Sequence, residues 1–359
     1  MKIVTVVGAR PQFIKASALS REFKDQGVDE VLVHTGQHYD ENMSDIFFSE
    51  LGIAPPRYNL EVKSSLHGEM TGRMLEGIEH VLLVEKPSWV VVYGDTNSTI
   101  AAALAAAKLN IPVAHVEAGL RSFNRTMPEE INRVLTDHLS TLLFAPTWVS
   151  KDNLIREGIE QKKIEVVGDI MFDVSLHYGG NSQACLKKNG LKEKEYILAT
   201  CHRQENTNDE RKLRAIFEAL VHVSTLIPVI CPLHPRTKKY LSGAEWFKPG
   251  ENFKIIDPLG YIDMVALEKS AKMIVTDSGG VQKEAFFHKV PCITLRDETE
   301  WVELISSGWN ILTPPQSKEI VQNAILANLE LRGQDLNLYG DGCTAKHIVK
   351  SLKAMTLSS

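Results

Sequence analysis

Three carboxylates in the first half of this chain fall where a strand pattern ends or a helix begins, the positions from which acid-base chemistry is usually delivered to a cleft. Trp89-Val-Val-Val-Tyr-Gly leads to Asp95, Ile111-Pro-Val-Ala-His-Val leads to Glu117, and Pro128, a helix-start signal, precedes Glu129. One acid in a first helical turn is ordinary, because it complements the helix dipole. Three, each brought to the rim by its own element, point to proton transfer at a shared site. In the second half, Lys272-Met-Ile-Val-Thr-Asp-Ser-Gly-Gly-Val-Gln-Lys-Glu-Ala-Phe286 reads as apolar strand, glycine turn and helix. Ser278, Gly279 and Gly280 would leave backbone N–H groups open at that helix N-terminus, a setting for a phosphate. Glu284, one turn further on, is placed to accept hydrogen bonds from ribose hydroxyls, so the stretch suits a nucleoside diphosphate. His202 and Arg203 close another strand pattern that starts at Tyr196. His34 and His38 are close in sequence, but no carboxylate or cysteine recurs at ligand spacing, and no metal is expected.

The elements that must carry these groups alternate along the whole chain. Lys2-Ile-Val-Thr-Val-Val7 runs into the turn and helix Gly8-Ala-Arg-Pro-Gln-Phe-Ile-Lys15 without a G-x-G-x-x-G fingerprint, which argues against a dinucleotide-dependent dehydrogenase. Arg10 and Lys15 lie at and just inside that turn, placed either for anion contact or for solvent. The strand Glu30-Val-Leu-Val-His34 ends in a polar loop that contains Gln37 and His38. Strand and helix patterns alternate in both halves, which implies parallel sheets with right-handed crossovers. The segment from Asp169 to Gly190, with Gly179-Gly-Asn-Ser inside it, reads as the crossing between halves. The expected fold class is therefore α/β, with two Rossmann-like domains, residues 1–170 and 171–342, facing a cleft. A length of 359 residues accommodates two such domains.

A net charge of -5 gives no reason to expect a nucleic-acid surface. Five scattered cysteines without a C-x-x-C pair, and no signal-peptide pattern, point to a reduced, cytoplasmic protein. Apolar runs such as Trp89 to Tyr93 fall far short of the ~20 residues that a membrane span needs.

With these residues laid out, the chain resembles the non-hydrolysing UDP-N-acetylglucosamine 2-epimerase family over essentially its full length. The resemblance rests on Gly8 to Lys15, Thr35-Gly-Gln-His38, Gly94-Asp-Thr96, His115-Val-Glu-Ala-Gly-Leu-Arg121, Pro128-Glu-Glu-Ile-Asn-Arg133, His202-Arg203 and Thr276-Asp-Ser-Gly-Gly-Val-Gln-Lys-Glu284. It implies a glycosyltransferase-B-like fold in which the last helix, within 343–359, packs back on the first domain. It also implies a homodimer that needs no cofactor and takes a UDP-sugar substrate. Asp95, Glu117, Glu129 and His202 become the catalytic set. Arg10, Lys15, Gln37, His38, Arg133, Ser278, Gly279, Gly280, Glu284 and Trp301 become substrate contacts.

Within the family, Gly8 to Ala16 and Arg296-Asp-Glu-Thr-Glu-Trp-Val-Glu303 most resemble the branch acting on UDP-2,3-diacetamido-2,3-dideoxyglucuronic acid, a precursor of bacterial surface polysaccharide. Trp301 stands where the glucosamine branch carries a substrate-contacting arginine, and Ser64-Ser65 stand where that branch carries polar residues for an activating substrate molecule. A sugar carboxylate must meet a cation, and Arg121, Arg125, Arg133 and Arg236 are on offer. UDP-N-acetylglucosamine as substrate stays open, as do a hydrolysing epimerase, a retaining glycosyltransferase and a nucleotide-sugar sensor.

Overall fold

The structure, a computed structural model, describes residues 1–37, 48, 50–64, 66–180, 182–233 and 235–358. It divides into two compact units, Met1–Val174 with Asn337–Ser359, and Ser175–Leu336.

In the first unit the strands are β1 (Lys2–Val7), β2 (Asp29–His34), β3 (Tyr58–Asn59), β4 (Trp89–Tyr93), β5 (Val113–Val116), β6 (Leu142–Ala145) and β7 (Ile164–Val166). They form one parallel sheet in the order β3-β2-β1-β4-β5-β6-β7. Its helices are α1 (Arg10–Asp25), α2 (His67–Glu85), α3 (Asn97–Lys108), α4 (Pro128–Leu139), α5 (Trp148–Arg156) and the start of α6 (Ile170–Tyr178). Every residue of β4 is buried. A strand covered on both faces reads as a continuous apolar run, which is why Trp89-Val-Val-Val-Tyr shows no alternation. The buried alanines of α3 let that helix lie close to its neighbours, and Thr96 caps it by accepting from the Thr99 N–H.

The second unit holds the remainder of α6, then α7 (Ser182–Asn189), β8 (Ile197–Thr200), α8 (Gln204–Thr207), α9 (Glu210–Ser224), β9 (Val229–Pro232) and α10 (Pro235–Ser242). It continues through β10 (Phe253–Ile256), α11 (Tyr261–Ser270), β11 (Met273–Thr276), α12 (Gly279–Phe287), β12 (Cys292–Thr294), α13 (Val302–Ser306), β13 (Asn310–Leu312) and α14 (Lys318–Ala327). Its sheet is also wholly parallel, in the order β10-β9-β8-β11-β12-β13. The expected α/β class with two parallel sheets is borne out.

Each sheet reverses its winding once, between β1 and β4 in the first and between β8 and β11 in the second. Open α/β sheets bind ligands beyond the carboxyl ends of the strands at such a switch point. Asp95 follows β4, while His202 follows β8 and Ser278 follows β11. The final helix, α15 (Thr344–Ser358), belongs to the first unit, where Trp89 Nε1 donates to Thr356 Oγ1 at 2.8 Å. No helix among the described residues is long and apolar enough to cross a membrane.

Candidate active site

In the first unit the chain turns sharply at both strand ends that deliver acids. Gly94, at φ +62°, ends β4 with its N–H bonded to the Val116 carbonyl at 3.0 Å. Glu117, at φ +72°, occupies the left-handed region, which disfavours any residue with a Cβ and costs on the order of 1 kcal/mol. Strain of this kind gathers at functional sites. The Glu117 carboxylate pairs with Lys15 of α1, and the Asp95 carboxylate pairs with Arg133 of α4. Asn132 fixes the Asp95 backbone by donating to its carbonyl at 3.0 Å. A Cβ on Gly94 would sit 3.4 Å from Glu117 Oε2 and 3.6 Å from Lys15 Nζ, so its bare backbone lies against that ion pair. Lys15, Asp95, Glu117 and Arg133 thus converge from four separate elements on one sheet edge.

Other residues picked from sequence take different places. Glu129 is exposed and makes no ion pair with this cluster, whereas its neighbour Glu130 is buried. Glu130 accepts from the Ser122 N–H and hydroxyl at 3.0 Å each, from the Phe123 N–H at 2.9 Å and from Arg133 Nη1 at 2.6 Å. Burial pushes the Glu130 carboxyl up, but these donors outweigh it and hold the group below its ordinary value. For Arg133 burial acts downward, and Asp95 with Glu130 reverses it. Gln37 is committed to the α3 start, its Oε1 accepting from Ser98 N and Oγ at 3.1 and 2.9 Å. Arg10 is partly buried, which lowers its pKa against the opposing charge of Glu50. His38, Ser65 and the side chain of Arg236 lie outside the described residues.

Two of the arginines offered for a sugar carboxylate are already paired. Arg121 is 1% exposed at its side chain and bonds Asp137 at 2.7 Å and Glu157 at 2.6 and 2.7 Å, so its fork is already filled. Arg133 is held by Asp95 and Glu130. Arg125 is exposed.

In the second unit the key group is Asp277, fully buried between β11 and α12. Its carboxylate accepts from the backbone N–H of His202 at 3.1 Å, of Arg203 at 3.0 Å, and from Asn206 Nδ2 at 3.1 Å. His202 Nδ1 lies 3.3 Å from Asp277 Oδ1, which leaves the other edge of this exposed ring facing outward. Sequence reasoning passed over Asp277; a buried-strand pattern that ends on an acid directly before a helix cap was the available signal. Ser278 caps α12, its hydroxyl receiving the Val281 N–H at 3.5 Å, and its own N–H goes to Thr276 Oγ1 at 2.9 Å. The N–H groups of Gly279 and Gly280 carry no hydrogen bond among the described residues. A Cβ on Gly279 would lie 2.6 Å from Glu300 Oε1, so the segment after β12 closes over this turn. Trp301 is buried against the first turn of α12, with the Lys283 ammonium 4.3 Å from its ring centroid. Glu284 is buried one turn along α12.

A turn with two open N–H donors beside a fixed histidine can hold a pyrophosphate. A pair of carboxylates, each with its own cation, can exchange protons with a bound molecule.

The family model described as UDP-N-acetylglucosamine 2-epimerase matches residues 21–353. The chain is 50% identical over 357 residues to the UDP-2,3-diacetamido-2,3-dideoxy-D-glucuronate 2-epimerase of Pseudomonas aeruginosa, covering 98% of this chain and 99% of that protein. It is likewise 50% identical over 365 residues to a UDP-N-acetylglucosamine 2-epimerase homolog of Methanococcus maripaludis, with the same coverage. Among solved structures it is similar to the UDP-GlcNAc 2-epimerase of Methanocaldococcus jannaschii in complex with UDP-GlcNAc and UDP, at 46% identity and a TM-score of 0.83, covering 99% of this chain and all of that one.

Proposed function

This chain belongs to the UDP-N-acetylglucosamine 2-epimerase family, and from that premise we propose that it inverts C2 of a UDP-2-acetamido sugar, with UDP-2,3-diacetamido-2,3-dideoxyglucuronic acid as its substrate. The observation that carries the catalytic reading is the convergence of Asp95 and Glu117, each with a cation partner, at neighbouring strand ends. The C2 proton of an acetamido sugar is not adjacent to a carbonyl, so its removal needs another electron sink. Elimination provides one. A side-chain base takes the C2 proton, the C2–H electron pair forms a C1–C2 double bond, and the C1–O bond breaks with its pair leaving on the UDP β-phosphate oxygen. UDP then adds back to C1 while a proton returns to the opposite face of C2. Negative charge grows on the departing phosphate, which is where Gly279 and Gly280 N–H and the His202 ring act.

UDP-N-acetylglucosamine is the second reading, and one observation favours it: Arg121 and Arg133, two of the four cations offered to a sugar carboxylate, are held by the protein's own acids. The deciding experiment compares kcat/KM for the two UDP sugars, with C2 configuration followed by NMR. Higher kcat/KM with the diacetamido uronate supports the proposal, and equal or better use of UDP-N-acetylglucosamine overturns the substrate assignment.

The same reading takes the protein as a cytoplasmic homodimer that binds neither nucleic acid nor membrane. Five free thiols suit a reducing compartment. Phe123, Met127, Ile131 and Leu135 leave an exposed apolar row along α4 and the loop before it, and a second copy is the occupant that would cover it. Sedimentation at the monomer mass would contradict the dimer.

A further inference from the structure

His115 takes no part in the chemistry described above, yet it sits directly behind it. Its ring, on β5, has no exposed surface. Nδ1 lies 2.7 Å from Asp137 Oδ1, and Nε2 lies 2.8 Å from the carbonyl oxygen of Gly94. The carbonyl can only accept. Asp137, itself buried, receives the Gly119 N–H at 3.1 Å and Arg121 Nη2 at 2.7 Å on its other oxygen. The carbonyl therefore makes Nε2 the donor nitrogen, while Nδ1 bonds Asp137, so the ring is engaged at both ends in a site without water access. The charged groups around the ring are Asp137 on α4, Arg121 on the loop after β5 and Glu157 at the end of α5, which Arg121 bridges to Asp137. Beyond Glu157 lies His138, at 3.8 Å.

We propose that His115 is a positioning residue for the C2 chemistry: hydrogen-bonded through both ring nitrogens, it ties the Gly94 carbonyl to Asp137 and so fixes the two strand ends that present Asp95 and Glu117. Gly94 immediately precedes Asp95, and Glu117 stands two residues beyond the ring. Glu117 is strained in the left-handed region at φ +72°, and Gly94, at φ +62°, is a freely turning glycine, so both strand ends gain from an external tether. The ring supplies the tether for both. Displacement of a catalytic group by about 1 Å costs on the order of 100-fold in rate.

This inference rests on the epimerase reading, and the test separates the two. In the unmutated protein labelled with ¹⁵N-histidine, His115 Nε2 should carry a slowly exchanging proton, held by the Gly94 carbonyl. An Nε2 without that proton overturns the proposal without any assay of activity. His115→Phe keeps the shape and loses both hydrogen bonds, while His115→Gln keeps one. With the sugar that the unmutated protein turns over, kcat should fall by about 100-fold in His115→Phe and by less in His115→Gln. KM and the calorimetric affinity for UDP should stay within about twofold, because UDP is assigned to the other unit. Unchanged kcat in a folded His115→Phe would overturn the positioning role. If the unmutated protein turns over neither UDP sugar, the epimerase reading fails instead, and the Nε2 proton still decides whether the tether exists.

Discussion

The molecule contains two strand–turn–helix openings of the same kind, β1 to α1 and β11 to α12, and uses their backbone donors in opposite ways. At the first, Gln12 Oε1 accepts the N–H of Gly8 at 2.8 Å and of Ala9 at 3.1 Å, while its Nε2 donates to the Tyr93 carbonyl and to Thr99 Oγ1 at 2.9 Å each. The donors that a phosphate would seek are consumed by the protein's own amide. A Cβ on Gly8 would fall 2.1 Å from Ser98 Oγ, so this glycine exists for close packing. At the second opening the N–H groups of Gly279 and Gly280 take no partner among the described residues, and the nearest buried acid, Asp277, faces away into the His202 turn. Glycine at a βα turn therefore does not specify an anion site. What matters is whether a side chain has already taken the donors, which locks the first unit's turn as scaffold and leaves the second unit's turn open.

Breaking the locked turn should have the largest effect. Gln12→Leu strips two buried N–H groups of their acceptor, while the Tyr93 carbonyl and the Thr99 hydroxyl keep their bond to each other, and should cost roughly 2 to 5 kcal/mol in urea denaturation. UDP affinity should be unchanged, and a weaker UDP complex in a folded variant would show that the first turn also meets the nucleotide.

The unit with the open turn should also respond to acid. His288, at the end of α12, bonds Ser175 Oγ at 2.7 Å, and burial with Lys269 and Lys194 nearby lowers its pKa to about 4 from an ordinary 6.5. A histidine with a depressed folded pKa binds fewer protons than in the unfolded chain across that window. Its contribution is intact above about pH 6.5 and is lost as pH falls toward 4, by up to about 3 kcal/mol. Hydrogen exchange in α12 should quicken over that range, and His288→Phe should flatten the response; identical profiles in the two proteins would refute the assignment.

The open turn itself offers the finest contrast. Gly279→Ala drives a Cβ toward Glu300 Oε1 and should weaken UDP binding about tenfold by calorimetry. Gly280→Ala meets nothing nearer than 4.0 Å and should stay within about twofold. Equal losses at both positions would mean that the contact above Gly279 does not set the difference.

Much of this was legible in the sequence because strand ends and glycine turns are local signals. The Ser278-Gly279-Gly280 opening, Asp95 and Glu117 could be placed from runs of ten residues. The partners could not. Gln12 meets Thr99 across 87 positions, Arg121 meets Glu157 across 36, and His202 meets Asp277 across 75. Arg121 looked like a free cation because the acids that fill its fork arrive from α4 and α5. Glu129 drew notice over Glu130 because sequence shows both in one first turn but not which is buried.

Turnover in heavy water tests the central claim most directly, that proton removal at C2 and departure of UDP belong to one reversible elimination. Equilibrating the protein with its UDP sugar in D₂O should place deuterium at C2 in step with inversion, read by loss of the C2 proton signal. Inversion that retains the original C2 hydrogen would contradict the elimination and the roles given to Asp95 and Glu117.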